Sequence, residues 1–159
     1  MSNYWYNKVT EDPDDLSPLA GAIKYFESEI QQGNKDLAVT GSLTRQAAEL
    51  PGQMAYRYQQ LQQLEAILQY LNLKLTRVKS AAFKRYLEAY NRTLTSRDAD
   101  KYSDGDKEVH DLALLVNQIA LVRNEFLGVT KGMDAKQWQL GNITKLKIAG
   151  LDDSQVETN

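Results

Sequence analysis

A chain of 159 residues, 42% hydrophobic, is long enough for one folded domain and too apolar for wholesale disorder. It has no cysteine, which excludes disulfides, thiolate catalysis and cysteine-type zinc sites together. The net charge of -2 hides an uneven distribution, with acids at Glu11, Asp12, Asp14 and Asp15, more acids over 98–111, and cations between them. Phosphates respond to local potential within a Debye length of ~10 Å, so an acidic total leaves nucleic-acid binding open.

Residues 1–15 read as an acidic arm carrying Tyr4, Trp5 and Tyr6. Such aromatics dock on their own chain or a sister subunit, or capture a basic partner. The arm lacks the cationic-then-apolar pattern of a signal peptide, and no apolar run nears the ~20 residues that span a membrane. A soluble intracellular protein is expected. Residues 16–43 are expected to form a short helix and a connector. Asp15 or Ser17 caps the helix, Pro18 sits in its first turn, and Leu19, Ile23, Phe26 and Ile30 make its apolar face. Gly33 and Asn34 are expected to end it.

Residues 44–150 read as a long helical hairpin. Leu61, Leu64, Leu68, Leu71, Leu75, Val78 and Ala82 alternate by three and four, the seam of a coiled coil. Pro51 is acceptable only near a helix start or at a kink. From Met54 the pattern runs to Thr93, and about 45 residues of helix would be roughly 70 Å long. Such a rod needs another long helix, or other subunits, to cover its seam. Residues 93–105 read as a turn region. Leu112, Leu115, Ile119, Val122, Phe126, Val129 and Met133 then repeat the spacing, with Leu140 and Ile143 in register. Gly128, Gly132 and Gly141 weaken this second helix and mark a bend or a close helix approach. Residues 151–159 read as a flexible tail. The fold class is all-α: a short helix, then an antiparallel hairpin with coiled-coil character. Ile67, Leu121 and Trp138 are left over for self-association.

The first long helix turns basic in its second half. Lys74, Arg77, Lys79, Lys84, Arg85, Arg92 and, beyond it, Arg97 are interrupted only by Glu88. Lys74, Arg85 and Arg92 line one flank of the seam, and Arg77 and Lys84 point away from it. Lys and Arg neutralise phosphates and release counterions, while Tyr86 and Tyr90 offer stacking platforms for unpaired bases. The competing reading is a solubility face or a set of intersubunit salt bridges. Phe83, Tyr86 and Tyr90 also lie close enough to the seam to be core.

Residues 100–111 resemble a calcium loop in having Gly105 at the sixth position, but Tyr102 takes the third place and Asp111 the last. Acids at a helix N-terminus explain them as well. His110, the only histidine, has no Ser or metal-ligand cluster beside it in the sequence. No phosphate-cradling Gly-rich motif exists. No catalysis, metal or cofactor is expected.

Several stretches resemble the UvsY family of recombination mediators from T-even-like phages, over roughly residues 43–150. Glu49-Leu50-Pro51-Gly52-Gln53, followed by residues 56–71, resembles the start of the family's first long helix. Lys84-Arg85-Tyr86-Leu87-Glu88-Ala89-Tyr90-Asn91-Arg92 resembles its basic-tyrosine DNA-binding segment, with Ala89 where a second aromatic is usual and Asn91-Arg92 where a Ser-Gly pair is usual. The last helix, with Met133 and then 143–150, resembles its C-terminal oligomerisation region. The resemblance implies a non-enzymatic, ring-forming protein in the cytoplasm of an infected bacterial host. It would bind single-stranded DNA and load a phage recombinase onto strands covered by single-strand-binding protein. DNA binding is assigned to Lys74, Arg77, Lys79, Lys84, Arg85, Tyr86, Tyr90, Arg92 and Arg97. Oligomerisation is assigned to Ile67, Leu121, Phe126, Met133, Trp138, Leu140 and Ile143. The rival class is a structural or adaptor coiled coil of a phage particle.

Overall fold

A computed structural model describes residues 3–89 and 95–151. Among the described residues there are five helices and no strand, so the all-α expectation holds. They are α1 (Tyr4–Thr10), α2 (Pro18–Asp36), α3 (Leu43–Ala89), α4 (Ser96–Asp104) and α5 (Lys107–Ile148). The chain divides into two compact units. The first holds Met1–Lys24 and Gln62–Asn124, the second Tyr25–Leu61 and Glu125–Asn159.

Two helices stand where the sequence led us to expect an arm and a turn. The first amides of α1 have no side-chain cap of their own. Gln63 Oε1 on α3 accepts from the Trp5 and Tyr6 amides at 3.0 and 3.3 Å, which supplies the partners a helix start lacks. Val9 is then fully buried. Helix α4 is set by Thr95, whose hydroxyl accepts from the Asp98 amide in an N-cap. Ala99 and Ser103 form its buried face. The core of the first unit is Leu64, Ile67 and Leu71 of α3 with Leu112, Val116 and Ile119 of α5.

In the second unit, α2 runs through Gly33 and Asn34 to Asp36. Gly33 is there for space, since a Cβ would stand 2.6 Å from Val129 Cγ1. Phe26 meets Phe126 edge to face, with centroids 6.2 Å apart. Arg57 is 4% exposed and is held by Glu29 at 2.6 Å and Asp36 at 2.7 Å. A buried guanidinium is tolerable only when its donors are met in this way. Pro51 lies inside α3 without ending it. Pro51 and Ala47 are both exposed, so the hydrogen bond that proline cannot make is missing on an outward face of the helix. Gly132 marks the close approach expected of it, 2.7 Å from Leu37 Cδ1 for a Cβ, whereas Gly128 and Gly141 have open space.

Helix α5 ends in a Schellman turn. Gly150 adopts φ +67 and its amide donates to the Lys147 carbonyl, while the Leu151 amide reaches Leu146. An 18-residue window of α5 has a mean hydropathy of 1.3, sufficient by length and composition alone to cross a membrane, which the sequence reading did not anticipate. A share of 33% of that window is buried inside the protein.

Candidate nucleic-acid interface

The candidate cations lie in the first unit, on α3 and α4. Arg77, Lys84, Arg85 and Arg97 are exposed, and Lys74 and Lys79 are half-buried. Arg77 and Lys84 share one face because seven residues is close to two turns; Lys74 and Arg85 share another. Tyr90 and Arg92 lie outside the described residues.

The surroundings are less cationic than the sequence run implies. Asp104, at the end of α4, sits 2.8 Å from Lys79 Nζ. Its hydrogen bond and charge raise the Lys79 pKa. Asp106 accepts from Arg85 Nη2 at 2.9 Å and from the Tyr86 hydroxyl at 3.3 Å. Lys84 has Glu88 at 3.7 Å. The sequence run looked nearly free of acids because Asp104 and Asp106 are distant along the chain and adjacent in space. The residues 100–111 are accordingly built around charge pairing and helix ends. Gly105 closes α4, and Asp106 Oδ1 accepts from the Glu108 amide at the start of α5. Among the described residues no group of three or more His, Asp or Glu is placed to hold a metal ion. His110 is exposed in the first turn of α5.

Tyr86 is half-buried, and its ring lies 5.8 Å from that of Tyr102 with 30° between planes. Tyr102 is 46% exposed and belongs to the same aromatic pair. Reading 93–105 as a turn concealed it. The Thr95-to-Asp98 capping spacing was the cue that an α4 helix would carry it. Lys74 contributes in an unexpected way, donating to the backbone carbonyl of Pro13. Beside it runs an open groove lined by Tyr70, Lys74, Arg77, Arg85 and Asp14. The Tyr70 hydroxyl is buried there and has no hydrogen-bond partner among the described residues.

The residues assigned to self-association separate into two sets. Ile67, Phe126 and Met133 are fully buried and Leu140 is 6% exposed, all within the chain's own cores. A coiled-coil seam and a monomer core share the same spacing. Leu121 at 60% and Trp138 at 76% exposure remain open to a partner, and Ile143 is half-buried. The second unit also carries an apolar groove lined by Leu43, Leu50, Met54, Tyr58 and Leu140.

Comparison with protein-family models, with curated proteins and with solved structures gave no match.

Proposed function

We propose that the protein is a non-enzymatic, single-stranded DNA-binding recombination mediator that loads a recombinase onto strands covered by single-strand-binding protein. Its setting would be the cytoplasm of an infected bacterial host. The observation that carries the DNA part is the set of exposed cations Arg77, Lys84 and Arg85 within a little over two turns of α3. Repeated over several subunits, weak phosphate contacts of this kind sum to tight binding. The mediator role, the recombinase and the single-strand-binding protein rest on the sequence resemblance.

The antiparallel hairpin is supported by the order of pairing in the first unit. Glu65 meets Arg123, and Arg85 meets Asp106, so contacts advance along α3 as they retreat along α5. Exposed Leu121 and Trp138 support a ring-like homo-oligomer. One observation favours the second reading, a structural or adaptor protein of a phage particle. Lys79 and Arg85 already have carboxylate partners, as they would if charge pairing were their whole role. The double variant Arg77→Ala/Lys84→Ala separates the two. It should abolish strand binding and keep the oligomer if the mediator reading holds, and lose assembly alone if the adaptor reading does.

A further inference from the structure

The cationic flank of α3 already carries a segment of its own chain. Lys74 Nζ donates to the Pro13 carbonyl. Asp14 lines the groove shared with Lys74, Arg77 and Arg85, and a second groove with Lys74, Arg85 and Lys107. Between α1 and α2 the acids Glu11, Asp12, Asp14 and Asp15 are all exposed.

This segment is a strap with both ends fixed. On the N-terminal side α1 is pinned by Gln63 and by buried Val9, and a Cβ at Gly21 would stand 2.8 Å from the Trp5 ring. On the other side the Asp15 carboxylate accepts from the Ser17 amide at 2.8 Å, and α2 buries Leu19 and Ala22. Within the strap, Asp12 Oδ1 accepts from the Asp14 amide at 2.8 Å and sets its bend. Carboxylates answer to the same local potential as phosphates. A competitor tethered over so few residues acts at an effective concentration on the order of millimolar. Each exposed contact is weak, so the strap can be displaced.

We propose that the acidic strap 11–17 is an intramolecular competitor for the phosphate path. It occupies Lys74 and borders Arg77 and Arg85, and a single strand gains full access to those cations by displacing it. This rests on the nucleic-acid reading above and adds its regulation. An isolated short strand meets an occupied site, while a strand spanning several subunits displaces several straps together.

The test compares the full chain with Asp12→Asn/Asp14→Asn, which keeps an oxygen at each position for the bend. Binding of a labelled oligothymidylate is followed by anisotropy across a salt series. The variant should bind roughly fivefold tighter at low salt, with the gain closing as salt rises. Glu11→Gln, a second variant, should move in the same direction. Glu27→Gln/Glu125→Gln removes two exposed acids of the second unit and should give no comparable gain. Equal binding by the wild type and the strap variants, or an equal gain from the Glu27/Glu125 pair, overturns the strap and leaves the nucleic-acid reading standing. Failure of every protein to bind overturns both.

Discussion

Arg85 Nη2 lies 2.9 Å from Asp106 Oδ2, so a candidate phosphate ligand is held by the first residues leading into α5. The Arg85 side chain is nevertheless 58% exposed. Solvent screening keeps such a pair to about 1 kcal/mol or less. Asp106→Asn should therefore change stability little, because asparagine can still cap α5. It should release Arg85 and tighten strand binding. A melting curve and a binding titration on the same sample check both halves. Weaker strand binding by a folded variant would show that Arg85 needs Asp106 to be positioned.

The seam spacing and the observed core differ at Leu68, where the difference can be measured. Leu71 and Ile67 are fully buried and Leu68 is half-buried. Leu71→Ala and Ile67→Ala should each cost on the order of 2–5 kcal/mol. Leu68→Ala should cost roughly half as much or less. Denaturant unfolding followed by helix content is the check. A larger loss at Leu68 than at Ile67 would restore the coiled-coil seam.

Tyr56 gives the second unit a distinct alkaline limit. Burial, then the hydrogen bond with Tyr25 and the nearby Glu29 charge, push its hydroxyl from 10.0 to about 12. The folded state thus keeps a proton that the unfolded chain releases. The stability from this group is complete below pH 10.0, falls as pH rises through that value, and is gone above about 12. Tyr56→Phe should flatten that part of the stability-pH curve. Unfolding midpoints measured across the alkaline range would show it, and an unchanged slope in the variant would assign the effect elsewhere.

The all-α class, the connector before α3 and buried Leu61, Leu64 and Leu71 were legible in the sequence because apolar spacing reports a helix face directly. Ile67 was assigned to self-association because a period of about 3.5 residues selects Leu68 where a straight helix of about 3.6 also buries its neighbour. Helix α1 was missed because its start is capped by Gln63, far away in the chain. The cations on α3 could be read as a run, with Glu88 beside Lys84; their long-range partners could not. Asp104, Asp106 and Pro13 reach them through the fold, and no local spacing encodes that approach.

The most direct measurement is a titration of labelled single-stranded and duplex oligonucleotides over a series of salt concentrations, with wild type and Arg77→Ala/Lys84→Ala. If α3 presents a phosphate-binding face, log affinity for the single strand falls linearly with log salt at about -0.7 per phosphate neutralised. A multivalent assembly gives a slope of several units, and the double variant flattens it while remaining folded. Binding that ignores salt and both substitutions, or no binding at low salt, would contradict a nucleic-acid role for this surface.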